Sequence, residues 1–172
     1  MATSYEFGKK EIKDYLKSKF YGYESILDVG AGQGTYYELL KDYFYDIEAI
    51  EIFEPNIEKY NLKNKYRVVY NKNIKDFKYE FYDIIIFGDV IEHLEIKEAQ
   101  KVLEYAYYKC SEMIVAVPYM YEQDEVDGNV YEIHKQADLT KEKVLERYPM
   151  LEYLYGNEYY GYFKKREGYG KI

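Results

Sequence analysis

Three glycines, Gly30, Gly32 and Gly34, follow the apolar run Ile26-Leu27-Asp28-Val29, and single polar groups, Glu51, Asn73 and Asp89, stand at the ends of later apolar runs. Glycines at that spacing let the backbone approach a ligand that any Cβ would hold away, and they supply dihedrals costly for other residues. Polar groups that close successive strands of an open α/β sheet converge on one crevice at the carboxyl ends of those strands. A carboxylate there can accept from both hydroxyls of a ribose, and the distance from Gly34 to Glu51 suits the second-strand acid of nucleotide-binding sheets. The chemistry within reach of this set is the binding of a nucleoside. Its glycine spacing is G-x-G-x-G, with Thr35 where a dinucleotide fingerprint needs its third glycine, which argues against NAD.

Proton transfer would fall to the two histidines, His93 and His134, since imidazole is the side chain that titrates near neutrality. His93 follows Glu92 at the start of a crossover helix, where a capping or packing role is the plainer reading. His134 ends the irregular stretch Gly128-Asn129-Val130-Tyr131-Glu132-Ile133-His134 and is the candidate base. No metal ligand set is assigned.

The elements that must position these groups follow from hydrophobic periodicity. Residues 7–20 carry Ile12, Tyr15, Leu16 and Phe20 at helical spacing, an amphipathic helix that lies on the sheet as lid or brace. Strands are expected over 25–29, 47–52, 66–70, 82–87 and 113–117. The intervening helices are a stripe of Tyr36, Leu39, Leu40 and Tyr43, then 56–62 opened by Pro55, then 96–108. This alternation predicts a parallel sheet with helices on both faces. Residues 71–76 read as a loop. Residues 118–138 break the rhythm with a long acidic stretch of the kind that is usually functional or disordered. A helix over 140–148 ends at Pro149, and 151–155 and 159–163 alternate around Gly156-Asn157 as a hairpin, so the last strand runs antiparallel. The tail from Gly168 to Ile172 is expected to fray.

Composition bounds the rest. A chain of 172 residues suits one domain, which we divide into an N-terminal helix over 1–24, a cofactor-binding half over 25–117, and a substrate-side loop with closing hairpin over 118–172. A net charge of −8 argues against a polyanion as obligatory partner. Cys110 is the only cysteine, so no internal disulfide can form, which fits a reducing, cytoplasmic compartment. No apolar run is long enough to span a membrane and no signal-peptide pattern opens the chain. The 26 tyrosines suit strands and half-buried surfaces and carry no binding code.

On three stretches the chain resembles the class I S-adenosylmethionine-dependent methyltransferases: ILDVGAGQGT at 26–35, IEAIEIFEPN at 47–56 and FYDIIIFGDVIEHL at 81–94, with the closing hairpin where that family has its antiparallel seventh strand. The resemblance implies a Rossmann-like seven-stranded sheet. It implies that Asp28, Gly30 and Gly32 hold the methionine end of S-adenosylmethionine, that Glu51 holds the ribose, and that Phe53 packs near the adenine. Asn73, where the family often has Asp, would face the adenine amino group beside Ile74. Gly88 and Asp89 would lie by the cofactor's amino group. Asn129, Tyr131, Glu132 and His134 would fall on the substrate side. The implied activity is methyl transfer to a small-molecule acceptor. The alternatives are an RNA acceptor, suggested by Lys164-Lys165-Arg166, a non-catalytic cofactor-binding subunit, and an NAD-dependent oxidoreductase.

Overall fold

The computed structural model describes residues 6–170; parts of the N-terminal segment 1–24 and of the tail expected to fray over 168–172 lie outside the described residues. Seven strands form one sheet in the order β3-β2-β1-β4-β5-β7-β6. They are β1 (Ser25–Val29), β2 (Asp46–Ile50), β3 (Val69–Tyr70), β4 (Tyr82–Gly88), β5 (Cys110–Pro118), β6 (Leu151–Gly156) and β7 (Tyr160–Lys165). The first five pair in parallel, and β7 inserts antiparallel between β5 and β6.

Among the described residues five α-helices cover the sheet: α1 (Lys9–Lys19), α2 (Thr35–Leu40), α3 (Glu54–Lys59), α4 (Ile96–Tyr107) and α5 (Lys141–Arg147). Alternate residues of each central strand point to opposite faces, so the core divides in two. Leu27, Val29, Ile85, Phe87, Met113 and Val115 pack with Ala99, Val102, Leu103 and Ala106 of α4 and Val144 of α5. Ile26, Ile84, Ile86, Ile114 and Ala116 pack on the other face with Ile12 and Leu16 of α1 and Tyr36 and Leu40 of α2. On helix α1, Ile12 and Leu16 are fully enclosed against the sheet, with Tyr15 and Phe20 partly buried beside them. Among the described residues no helix is long and apolar enough to cross a membrane.

Three elements are shorter than their patterns predict, the first being helix α2, which ends at Leu40 before the stripe reaches Tyr43. Helix α3 stops at Lys59 because Asn61 takes a left-handed conformation, φ 54°, and the chain turns through a 3₁₀ segment, Leu62–Asn64. Strand β3 begins only at Val69, since the backbone N–H of Tyr66 is committed to the carbonyl of Leu62 and its side chain is buried against the second core. Residues 118–138 are anchored, not loose. Met120 N–H donates to Leu139 O, His134 N–H to Gln123 O, and the N–H groups of Lys135 and Gln136 both donate to Glu92 O.

Candidate active site

The three glycines of the first turn do three different jobs. Gly30, at φ 71°, lies so close to Val90 that a Cβ would stand 2.6 Å from its methyl carbon, and its N–H donates to Ile50 O at 2.9 Å, fixing the turn to β2. Gly34, at φ 84°, precedes α2. Gly32, at φ 53°, is the open one: a Cβ there would meet nothing nearer than 3.9 Å, and the residue lines both cavities of the crevice. The larger cavity, about 540 Å³, extends over Gly88, Asp89, Tyr119, His134 and Tyr160. The smaller, about 230 Å³, lies toward Phe53, Pro55, Tyr60 and Asn129. Gly88 serves packing: a Cβ would stand 2.1 Å from the ring of Tyr36.

Glu51 ties these parts together. Its carboxylate accepts from Gly32 N–H at 2.7 Å and from Phe53 N–H at 2.8 Å, one oxygen each. Burial raises its pKa and those two donors oppose the rise. A carboxylate has about four acceptor sites, so each oxygen keeps a lone pair for a ligand. Asp28 lies deeper, 1% exposed, its Oδ2 accepting from the Tyr66 hydroxyl at 2.5 Å. Burial pushes its pKa up to about 7, with Tyr66 and the buried ammonium of Lys9 pulling against the rise.

Asp89 stands where β4 ends, in a left-handed conformation with φ 56°, a geometry that costs a non-glycine residue ~1 kcal/mol. Its Oδ1 accepts from the Tyr160 hydroxyl of β7 at 2.5 Å, whereas its Oδ2 is buried and has no hydrogen-bond partner among the described residues. Lys9 reaches the same floor from α1: its ammonium donates to the Tyr36 hydroxyl at 3.1 Å and stands 4.3 Å from that ring's centroid. Burial lowers the Lys9 pKa, and the charges of Asp89 and Asp28 oppose the fall.

The far wall carries both histidines. His93 and His134 meet edge to face, ring centroids 4.7 Å apart. His93 Nδ1 lies 3.3 Å from the Ile133 carbonyl oxygen and His134 Nδ1 lies 2.8 Å from that of Tyr121. A carbonyl can only accept, so both Nδ1 atoms carry the proton and each Nε2 presents a lone pair. Burial holds both imidazoles below their ordinary pKa, His93 down to about 4 with His134 adding to the effect. Glu92, 1% exposed and also lining the cavity, has no hydrogen-bond partner for either carboxylate oxygen among the described residues.

Of the residues singled out from the sequence, Gly30, Gly32, Gly88, Asp89, Glu132 and His134 line the larger cavity, and Phe53 and Asn129 the smaller. Asp28 and Glu51 support the walls from behind. Three others do other work, and Asn129 has a second role besides lining the smaller cavity. Asn73 uses its Oδ1 to accept from Lys75 N–H, shaping a local turn. Ile74 packs at the edge of the core. Tyr131 is 48% exposed and lines neither cavity. Asn129 is buried and caps the 3₁₀ turn Val130–Glu132, its Oδ1 accepting from Tyr131 N–H. Sequence reasoning missed Lys9, Tyr66 and Tyr160, all of which read as helix or strand filler. Only the hairpin, by putting β7 next to β5, brings Tyr160 over Asp89.

Comparison with known proteins agrees with this architecture. A family described as a methyltransferase domain matches residues 7–106, and the chain belongs to that family. Its first, second and fourth strands and their turns fall inside the matched span. No curated protein matches. Among solved structures, an S-adenosylmethionine-dependent methyltransferase from Clostridium acetobutylicum ATCC 824 superposes with TM-score 0.72 at 12% identity, covering 97% of this chain and 94% of that one. The Burkholderia thailandensis 1,6-didemethyltoxoflavin-N1-methyltransferase, solved with 1,6-didemethyltoxoflavin and S-adenosylhomocysteine, gives 0.69 at 14% identity, covering 94% and 78%. The methyltransferase domain of bacterial CtHen1-CN gives 0.65 at 19% identity, covering 91% and 96%. The seven-stranded, mostly parallel sheet is thus the Rossmann-like methyltransferase fold.

Proposed function

We propose that the crevice binds S-adenosylmethionine and transfers its methyl group to a small-molecule acceptor. The observation that carries the reading is Gly32, which opens on both cavities at once while Glu51 grips its N–H from behind. Phe53 and Pro55 of the smaller cavity would hold the nucleoside, and Glu51, just behind that wall, would accept from its ribose hydroxyls with its remaining lone pairs. Gly32 would let the methionine end pass into the larger cavity, where Asp89 Oδ2, without a hydrogen-bond partner among the described residues, would accept from its α-ammonium. Bound there, the cofactor supplies a methyl group on a sulfonium centre. The residues of the chain align the acceptor with it and exclude water, which accounts for much of the catalysis of an in-line displacement. The acidic floor of Asp28, Glu51 and Asp89 favours a ligand with cationic groups.

A cavity of about 540 Å³ is of ordinary small-ligand size. The cations that suggest RNA lie elsewhere. Lys164 pairs with Ile114, near the amino end of β5, whereas the crevice opens where Pro118 meets Tyr160. Lys164 is in an ion pair with Glu152, and the Lys165 ammonium donates to the carbonyls of Tyr107 and Cys110. These groups serve the fold.

Adenosylhomocysteine at 100 times its dissociation constant should stabilise the protein by about 2.7 kcal/mol, and NAD should leave it unchanged. Glu51→Ala should weaken adenosylhomocysteine binding at least tenfold by calorimetry, since hydrogen bonds to a charged group contribute about 1.5 to 3 kcal/mol each. Affinity within twofold of wild type would remove Glu51 from the ribose site.

A further inference from the structure

We propose that Glu92, His93 and His134 form a site for a first-row divalent cation on the acceptor side of the crevice, and that the acceptor is an alcohol or phenol whose oxygen completes the coordination. One ligand atom from each residue lies within 4.8 Å of the other two. Ligands about 2.1 Å from a shared tetrahedral cation stand about 3.4 Å apart, so a small rotation of the two rings and the carboxylate closes the set. The donor types suit the purpose: two imidazole nitrogens and a carboxylate favour a first-row divalent ion and leave further positions open.

Three independent features prepare these residues. First, the Tyr121 and Ile133 carbonyls hold the Nδ1 protons of His134 and His93, the outer hydrogen bond that turns an imidazole's Nε2 toward a metal. Second, the backbone carbonyl of Glu92 accepts from Lys135 and Gln136 N–H, clamping the His134 segment against the 3₁₀ turn Ile91–His93. Third, Glu92 is buried, lines the cavity and has no hydrogen-bond partner for either carboxylate oxygen among the described residues, and the carboxylates of Asp89 and Glu132 act on it as like charges. A buried carboxylate among like charges is strongly unfavourable without a cation or a proton. A divalent cation meets that need and gives the orphan oxygens a partner.

The inference rests on the methyl-transfer reading for its chemistry. An acceptor hydroxyl that binds the cation becomes more acidic and releases its proton to water. Its oxygen then attacks the methyl group: the new O–CH3 bond forms as the S–CH3 bond breaks, and sulfur keeps the electron pair as a neutral thioether. His134 is on this account a ligand in place of a base.

The test uses the tag-free full chain, freed of metal with EDTA and titrated with Co2+ while its visible ligand-field bands are followed. One equivalent should bind with micromolar affinity. Glu92→Gln, which keeps shape and loses charge, and His134→Ala, on a half-exposed residue, should each bind at least tenfold more weakly. With protein in excess, catechol should alter the Co2+ bands by taking an open position. Absence of bands up to 1 mM Co2+, or undiminished binding in both variants, overturns the site; bands indifferent to catechol overturn the hydroxyl assignment. Adenosylhomocysteine affinity is measured in parallel on the wild type. Its loss with Co2+ binding intact would fail the methyl-transfer reading alone, and the converse would fail the metal site alone.

Discussion

The two walls of the crevice are built from different materials. The wall proposed for the nucleoside is largely backbone: Gly30 and Ala31 hydrogen-bond to Ile50, Gly32 and Phe53 hang on Glu51, and β1 and β2 beneath are buried except at their first residues. The acceptor wall is largely side chain, with Tyr119, Tyr121 and His134 carried on a segment fixed at a few carbonyls and otherwise exposed from Asp124 to Gly128, Val126 being the partly sheltered exception. A backbone wall tolerates few changes of sequence and holds a ligand common to many enzymes. A side-chain wall can be rewritten without disturbing the sheet, which is where an enzyme's choice of acceptor can vary.

The sharpest way to break this division is Gly32→Val. Its branched side chain projects into the space shared by both cavities, so adenosylhomocysteine binding should fall more than a hundredfold by calorimetry, with the circular dichroism of the sheet preserved. A variant that folds and binds normally would show that the turn is not the cofactor's cradle. An effect on stability is expected beneath the wall, at Asp28. Its folded pKa, about 7, stands above the unfolded value of about 3.9. The folded state therefore holds the extra proton, and this contribution to stability is fully present below pH ~4 and is lost as the pH rises through ~7. Asp28→Asn cannot ionise, so the wild type should lose on the order of 4 kcal/mol more than the variant between pH 4 and 8, read from denaturant midpoints. Parallel pH profiles would remove Asp28 as the source. The smallest effect is expected at the far edge of the sheet: Lys164→Ala removes a partly exposed ion pair with Glu152 and a long contact with the Tyr15 ring, so stability should change by no more than ~1 kcal/mol. Adenosylhomocysteine affinity should stay within twofold. A marked loss of affinity would mean that the basic edge communicates with the crevice.

The same contrast explains what could be read in the sequence. Backbone needs force particular residue types, so the glycine turn, Glu51 after β2 and Asp89 after β4 were legible, as were the buried runs of β4 and β5. The antiparallel β7 followed from the Gly156-Asn157 turn. Asn73 was misleading because an Asn that shapes its own turn and one that faces a base leave the same mark in a sequence. Tyr66 extended β3 on paper, yet its hydroxyl is committed to Asp28 and its N–H to Leu62. The histidine pair was out of reach for another reason. His93 and His134 are separated by the whole of α4 and β5, and only the clamp from Glu92 O to Lys135 and Gln136 brings them edge to face. No local pattern records a contact made across that distance.

The partners of β7 carry implications for the order in which the protein can become competent. Tyr160 completes the hydrogen bonding of Asp89 Oδ1, and the Tyr162 hydroxyl donates to the carbonyl of Phe7, just ahead of the brace helix. Lys9, on that helix, lies within 6 Å of the ring centroids of Tyr36, Tyr160 and Tyr162. A nascent chain would present its glycine turn early in translation, yet the floor beneath that turn would stay unfinished until β7 left the ribosome and was threaded between β5 and β6. Cofactor binding thus reports on a chain made through β7, and a product truncated before residue 160 should be a poor ligand trap however well its first half folds.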